Sequence, residues 1–212
     1  PYIIHLVDWF EYGNLYYLVL ERARGPVRDL VKSVGPYSSA RVVEVGRQLL
    51  YGMHFIHSQR VIHRDLQIDN ILHVGTGDYV ALKISDFGIS RQFGFGEGPY
   101  AYTNIGRAYE VAPELKQGGY TTVRSDLYQV GLVLYFLHTG LMAVGPPDGP
   151  VHDAVSSGVA EQRATALGSP LGRVLATMLA VDDRRRFPDA LKAWYELREC
   201  VEPGLWVAEK RP

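Results

Sequence analysis

The sequence predicts an α+β fold in which a mainly helical large lobe follows a short piece of β-sheet. Two apolar segments near the start, residues 2–9 and 15–20, have the composition of strands and are separated by a turn. The second half of the chain repeats its apolar residues every three or four positions, which is typical of helices. With 212 residues, the chain can form one sizeable core or at most two small ones.

The two predicted strands at the start of the chain are joined by a Glu-Tyr-Gly-Asn turn at residues 11–14. A hairpin of only two strands is marginally stable in water and leaves both of its edges unpaired. We therefore expect this hairpin to be the remnant of a larger sheet.

A long helix and a second hairpin are predicted next. Ser38 or Ser39 can cap a helix whose apolar positions step by three or four residues, at Val42, Val45, Leu49, Met53 and Ile56. Residues 75–78, with the sequence Gly-Thr-Gly-Asp, predict a turn between strands at 71–72 and 81–84.

The remaining elements follow a long segment without clear periodicity. Residues 86–114 are rich in Gly, Tyr and Phe, which indicates a long functional loop. Residues 126–138 are apolar on most faces, so they predict a helix that is buried all round and ends near Gly140. A Ser-Pro pair opens a predicted helix at 170–179, and Pro188 opens a last helix that ends at residue 200.

Composition excludes several classes of protein. A net charge of −1 offers no basic surface to nucleic acid, and the longest apolar run, residues 130–137, is far shorter than the ~20 residues that span a bilayer. The single cysteine, Cys200, can form no internal disulfide, which fits a reducing compartment. Because no targeting signal is visible, we expect a cytoplasmic protein, and its oligomeric state stays open.

Three short motifs follow one another in the middle of the chain. They are His63-Arg64-Asp65 with Asn70 five residues after the aspartate, Asp86-Phe87-Gly88, and Ala112-Pro113-Glu114. Phosphoryl transfer needs a base for the incoming hydroxyl and oxygen ligands for the magnesium on the nucleotide phosphates. Asp65, Asn70 and Asp86 can supply these groups. Each motif alone could be an ordinary turn, but their order and their apolar flanks together indicate a phosphotransferase site.

This arrangement resembles the catalytic loop, metal-binding turn and substrate-loop anchor of eukaryotic-type protein kinases. Residues 18–21 are similar to the strand that leads into the kinase hinge, 125–131 to the long buried helix, and 182–186 to an acidic-to-arginine turn. The resemblance implies a protein-kinase-like fold with these boundaries: the end of the N-lobe sheet and the hinge at 1–23, the C-lobe at 24–201 with a catalytic loop at 61–72 and an activation segment at 86–114, and a tail at 202–212.

By this resemblance, the cofactors are ATP and Mg²⁺, and the phosphate acceptor is a hydroxyl group of a protein substrate. Asp65 would orient that hydroxyl and take its proton, while Asn70 and Asp86 would bind the magnesium. The resemblance also assigns the adenine slot to four residues near the hinge: the side chains of Leu20 and Leu72, and the backbone of Glu21 and Ala23.

The resemblance assigns the remaining residues to regulation and support. Arg64 would pair with a phosphate on the activation segment, carried by Thr103 or by the competing Tyr100 and Tyr102; plain exposed hydroxyls explain these residues equally well. The supporting residues are the stack of Leu6, His63 and Phe87, the backbone acceptor Asp126, and the buried ion pair of Glu114 with Arg186.

The chain also departs from the kinase pattern. Gln67 stands where serine/threonine kinases usually have a lysine on the transferring phosphate, so we expect slower catalysis from a neutral donor. Arg107 stands where serine/threonine kinases usually have a threonine, and Tyr109 is displaced by one position from the usual place of a tyrosine. These two positions therefore favour serine/threonine over tyrosine specificity only weakly. No glycine-rich loop, strand lysine or helix glutamate is found, and all three would precede Pro1. We therefore expect the chain to be a fragment of a full kinase or a truncated gene product. A third explanation is that another segment completes the kinase domain.

Three functions remain in competition at this point. The first is a magnesium- and ATP-dependent protein kinase, and the second is a kinase-like binding module with weak or no catalysis, which Gln67 and Arg107 favour. The third is a small-molecule phosphotransferase of the aminoglycoside or choline kinase type. Those enzymes typically lack the Ala-Pro-Glu anchor and its arginine partner, and this chain has both in Glu114 and Arg186.

Overall fold

The computed structural model describes residues 1–76, 79–88, 90–92, 101–102, 109–145 and 148–202, which form helices and small antiparallel sheets. The α+β prediction is confirmed. The described helices are α1 (Val27–Val34), α2 (Ser39–Ser58), α3 (Pro113–Gly118), α4 (Val123–Thr139), α5 (Val151–Ser156), α6 (Val159–Ala166), α7 (Pro170–Met178) and α8 (Ala190–Arg198). The described strands are β1 (Leu6–Tyr12), β2 (Leu15–Leu20), β3 (Gly25–Pro26), β4 (Val61–Ile62), β5 (Ile71–Thr76), β6 (Tyr79–Ile84), β7 (Arg91–Gln92), β8 (Ala101–Tyr102) and β9 (Tyr120–Thr121).

The first hairpin is shifted from its predicted position. Strand β1 occupies Leu6–Tyr12 rather than 2–9, and Tyr12 pairs with Leu15 across a turn of two residues. Gly13 and Asn14 both have positive φ angles, of 58° and 60°, as a tight hairpin turn requires. Because these two residues complete the turn by themselves, the residues before them stay in the strand.

The residues before β1 belong to a different sheet. The amide of Ile4 donates to the carbonyl of Ile84 at 2.9 Å, and the amide of Ile84 donates to the carbonyl of Tyr2 at 2.9 Å. Ile4 is buried, whereas every side chain of β1 and β2 is exposed, including Trp9 at 59% of its surface. Residues 2–4 therefore lie against Ile84 in the large lobe, and the hairpin follows them along the chain.

The long helices follow the sequence signals closely. The side chain of Ser38 caps α2 by accepting the amide of Arg41. Thr122 and Ser125 form a capping box at the start of α4, and Gly140 ends that helix with a φ angle of 73°. All residues from 125 to 137 are buried, as their apolar pattern predicts. Helix α2 packs against α4 and α8, so these three helices form the centre of the core.

Other elements differ from the prediction at their ends or were missed. The last helix begins at Ala190 rather than at Pro188, because the side chain of Asp189 caps it through the amide of Lys192 at 2.8 Å. The sequence analysis missed the short helices α1, α3, α5 and α6, which have few turns over which a periodic pattern could appear. In the described part of the chain, no helix combines the length and the apolarity needed to cross a bilayer.

Three small sheets surround the predicted catalytic loop. Strand β5 lies between β3 and β6, in a sheet that brings Pro26 opposite Leu72 and Leu72 opposite Lys83. Strand β4 pairs with β7, and β8 pairs with β9. Both β7 and β8 lie inside the segment predicted as a long loop, so that segment contains short paired strands. Residues 63–70, between β4 and β5, carry the first motif.

Candidate active site

The first turn of helix α4 holds the backbone of the catalytic loop in place. The carboxylate of Asp126 is fully buried and accepts the amide of His63 at 2.9 Å and the amide of Arg64 at 2.8 Å. It also contacts Nε2 of His57 at 2.9 Å. A buried carboxylate needs such donors to offset its loss of hydration. These bonds also hold Arg64 at a φ angle of 75°. This conformation costs free energy and persists only where the surrounding structure imposes it.

A second residue of α4 extends this support, and the sequence analysis did not identify it. Oε1 of Gln129 accepts the amide of Leu66 at 3.1 Å, and its Nε2 donates to the carbonyl of Glu110 at 2.9 Å. Gln129 therefore ties the catalytic loop to the segment before α3. The signal was visible in the sequence, since Gln129 is an uncharged polar residue within an otherwise apolar helix.

Asp65 lies at the centre of a set of side-chain hydrogen bonds. Nδ2 of Asn70 donates to Oδ2 of Asp65 at 2.8 Å and to its carbonyl oxygen at 2.9 Å. Nε2 of Gln67 donates to the other carboxylate oxygen, Oδ1, and the Gln67 side chain is buried, with 5% of the residue exposed. Both oxygens of Asp65 are thus held in place. The sequence analysis considered Gln67 as a donor to phosphate, but its amide is engaged by Asp65.

His63 connects the catalytic loop with the residues before the second motif. Its Nδ1 accepts the amide of Asp65 at 3.3 Å, and its Nε2 donates to the carbonyl of Ser85 at 3.1 Å. Burial lowers the pKa of His63, so the neutral ring that these two bonds require is favoured. Its ring meets that of Phe87 edge-on, with centroids 4.8 Å apart. Leu6, which the resemblance adds to this stack, is 46% exposed in β1.

The residue before the Asp-Phe-Gly turn is bonded directly to the backbone of Asn70. Ser85 donates to the carbonyl of Asn70 twice, from its amide at 3.0 Å and from its hydroxyl at 2.8 Å. Asp86 follows with a φ angle of 62°, and its Oδ1 accepts the amide of Gly88 at 3.1 Å. The Asp86 side chain is exposed to solvent. Ser85 therefore connects Asn70, by hydrogen bonds, to the turn that contains Asp86.

The chemistry of these donors fits magnesium. Because Nδ2 of Asn70 is directed at Asp65, Oδ1 of the same amide faces another way and can act as a ligand. Asp86 adds a carboxylate, and Mg²⁺ prefers oxygen ligands of this kind together with nucleotide phosphates. Within the described ranges, no group of three or more His, Cys, Asp or Glu side chains could hold a metal ion by itself. The phosphates of a nucleotide would therefore have to complete the coordination.

The predicted adenine slot lies where β2 leads into β3. Leu20 ends β2, Glu21 and Ala23 are partly buried, and Leu72 lies in β5 opposite Pro26. The amide of Glu21 donates to the carbonyl of His5 at 2.9 Å, which leaves the carbonyl of Glu21 as the group to meet a base. The adenine slot stays a prediction, assigned to residues 20–23 and to Leu72 of β5.

Lys83 pairs with Glu21, one of the predicted slot residues, and this pairing was not predicted from the sequence. Its Nζ lies 2.7 Å from Oε1 of Glu21, and this hydrogen bond lowers the pKa of the Glu21 carboxyl group. The same oxygen accepts the amide of His5 at 2.8 Å. Lys83 is a charged residue in a strand whose alternate residues are buried, so its position predicts exposure rather than a partner.

Glu114 and Arg186 form a buried pair with two hydrogen bonds, at 2.7 and 2.8 Å. The hydroxyl of Ser125 donates to the same carboxylate at 2.5 Å. The remaining guanidinium donors reach backbone carbonyls, including that of Ala180 at 2.8 Å, and the guanidinium carbon lies 4.8 Å from the ring centroid of Tyr128. The pair fastens the start of α3 to the end of the helical lobe.

Several predicted regulatory positions cannot be placed. Thr103 and Arg107 lie outside the described residues, as does Tyr100, and only the backbone of Tyr102 is described. Arg64 is partly buried beside Asp65. The pairing of Arg64 with a phosphate therefore stays a prediction.

Comparison with known proteins agrees with this geometry. A family model described as the protein kinase domain matches residues 1–188. The chain is 31% identical over 158 residues to a Clostridium perfringens protein named as a probable serine/threonine-protein kinase, and that match covers 73% of this chain. It is 29% identical over 143 residues to the serine/threonine-protein kinase PrkC of Bacillus subtilis, covering 66% of this chain, and 33% identical over 154 residues to the human NUAK family SNF1-like kinase 2, covering 72%.

The structural comparison gives the same result. The crystal structure of Rad53 in complex with AMP-PNP is similar with a TM-score of 0.74 and 27% sequence identity, over 92% of this chain and 50% of that one. The matched regions amount to 22%, 21% and 23% of the three relatives. The chain thus spans about a fifth of the length of the curated relatives that it matches.

Proposed function

We propose that this chain, which belongs to the protein kinase family, is part of a protein that transfers the γ-phosphate of ATP to a hydroxyl group of a protein substrate. The observation that carries the proposal is the unit formed by Asp65, Asn70 and Asp86, in which the Asn70 side chain bonds to Asp65 and the Asn70 carbonyl bonds to Ser85, the residue directly before Asp86. Such a unit supports roles for these residues as a base and two oxygen ligands. Phosphoryl transfer depends mainly on positioning of this kind.

Each residue of the unit has a distinct role in the proposed reaction. Asp65 orients the acceptor hydroxyl and accepts its proton, while Asn70 and Gln67 hold both carboxylate oxygens in place. Asn70 and Asp86 would hold Mg²⁺, which neutralises charge on the nucleotide phosphates. Leu20, Glu21, Ala23 and Leu72 would bind the adenine. Since the named relatives are serine/threonine kinases, we propose serine or threonine as the acceptor.

Replacing Gln67 with lysine is expected to increase the rate of phosphate transfer. Lysine would put a charged donor on the transferring phosphate, and charged hydrogen bonds contribute about 1.5–3 kcal/mol against about 0.5–1.5 kcal/mol for neutral ones. The difference corresponds to a roughly 10-fold rise in kcat at saturating Mg·ATP, measured in the full-length protein. Gln162→Lys, on the exposed side of α6, serves as the control for the added charge. A kcat that stays the same or falls in Gln67→Lys would show that the neutral amide is not limiting.

Two measurements on the full-length protein test the proposed function. Calorimetry should detect nucleotide binding that requires Mg²⁺, and labelled ATP should transfer its phosphate to serine or threonine residues of a protein acceptor. Absence of nucleotide binding would contradict the proposal and favour a kinase-like binding module. Transfer to a small aminoalcohol but to no protein would instead indicate a small-molecule phosphotransferase.

A further inference from the structure

An ion pair joins the catalytic loop to α1, and the kinase motifs do not include it. Nε of Arg28 lies 2.7 Å from Oδ1 of Asp69, and its NH2 group lies 3.1 Å from Oδ2. Both arms of the guanidinium therefore hold the carboxylate of Asp69. The two side chains are 33% and 25% exposed, which shields the pair from much of the solvent screening that weakens surface ion pairs.

The two ends of this pair belong to different parts of the site. Asp69 directly precedes Asn70, in a tight turn closed by the amide of Asn70 and the carbonyl of Gln67 at 2.9 Å. Arg28 lies in the first turn of α1, the helix that follows the adenine slot. Val27 and Leu30 on either side of it are buried in the core, so its backbone is firmly placed. The pair therefore braces a short turn against a packed helix.

We infer that Arg28 is a positioning residue for the metal ligand Asn70, acting through Asp69. The inference rests on the proposed function, in which Asn70 binds Mg²⁺. The side chain of Asn70 is oriented by Asp65, and its backbone is bonded to Gln67 and Ser85. The fork of Arg28 adds a side-chain restraint on Asp69, the residue directly before Asn70. Groups that orient metal ligands in this way typically contribute about 10–100-fold to metal affinity or activity.

Arg28 also controls the charge next to the metal ligand. The guanidinium interacts electrostatically with Glu110 as well as with Asp69, and these carboxylates raise the pKa of Arg28, with the hydrogen bond to Asp69 as the largest cause. Without Arg28, the carboxylate of Asp69 would lose the partner that contacts both of its oxygens and could turn towards a bound cation. Two opposite outcomes are thus distinguishable: loss of positioning weakens Mg²⁺ binding, whereas release of a spare carboxylate strengthens it.

The test compares Arg28→Met and Asp69→Asn with the unchanged full-length protein. We expect the Mg²⁺ concentration needed for half-maximal binding of a non-hydrolysable ATP analogue to rise by about 10–100-fold in each variant. Hydrogen exchange of the backbone amides at 68–70 should become faster. Arg185→Met, which removes an arginine from its pair with the partly buried Glu161, is the matched control and should change neither measurement.

A double variant separates positioning from unrelated damage. If Arg28 acts through Asp69, the combined Arg28→Met and Asp69→Asn protein should lose no more Mg²⁺ affinity than either single variant. Additive losses, tighter Mg²⁺ binding in Arg28→Met, or unchanged exchange at 68–70 would each overturn the inference. If the unchanged protein binds no nucleotide with Mg²⁺, the proposed function fails, and the exchange measurement alone then decides whether Arg28 positions the turn.

Discussion

Asp65→Asn is expected to lower kcat for phosphate transfer by about 10²–10⁴-fold in the full-length protein, because an amide cannot accept the proton of the incoming hydroxyl. The substitution keeps the size and shape of the side chain, so binding of Mg·ATP should change little. Measurement of kcat at saturating nucleotide, together with calorimetry of nucleotide binding, separates these two effects. The result would assign Asp65 to the chemical step rather than to binding.

The hydrogen bonds that Asp65 accepts make a stability control necessary for the Asp65→Asn variant. In the unchanged protein, both Asn70 and Gln67 donate to the carboxylate of Asp65, and an amide at position 65 can accept only one of these bonds. Some loss of order in the loop is therefore expected, and melting of the variant should be measured beside its activity. Asp153→Asn, at an exposed position of α5, controls for the loss of a negative charge. Activity of Asp65→Asn close to that of the control would remove Asp65 from the mechanism.

The closeness of Asp65 and Asn70 could be predicted from the sequence because both lie in one short loop, whereas the contact of Gln67 with Asp65 was not predicted, since Gln67 was assigned to the transferring phosphate. Asn70 reaches Asp65 five residues before it, and Gln67 reaches the same carboxylate two residues away. A fixed spacing within one loop therefore determines which groups can meet. The long helix α4 was predictable because burial on all sides leaves a mostly apolar segment, with an unbroken apolar run at residues 130–137, before Gly140.

Contacts between distant segments could not be predicted from one sequence. Arg28 meets Asp69 across 41 residues, and Lys83 meets Glu21 across 62. A charged residue gives the same local pattern whether it is solvated or paired, so neither partnership leaves a signal along the chain. The pair of Glu114 and Arg186, 72 residues apart, was expected only because the kinase resemblance supplied both ends.

Breaking the pair of Glu114 and Arg186 should produce the largest loss of stability. We expect Glu114→Gln or Arg186→Met to lower the free energy of unfolding by about 3–5 kcal/mol, because either change leaves the other charge buried without its partner. Chemical denaturation of the full-length protein, followed by a probe of this lobe, measures the effect. Lys192→Met, which breaks an exposed pair with Glu196 on α8, is the control and should leave the unfolding midpoint almost unchanged.

The double variant shows what the pair contributes beyond its own burial. With Glu114→Gln and Arg186→Met combined, no uncompensated charge remains, so the loss should be smaller than the sum of the two single losses. Ser125 and the carbonyl of Ala180 would still lose a partner, which keeps the double variant less stable than the unchanged protein. Strictly additive losses would mean that the two side chains act separately. In that case α3 would be held in place by packing, and the pair would not be the link between the substrate loop and the helical lobe.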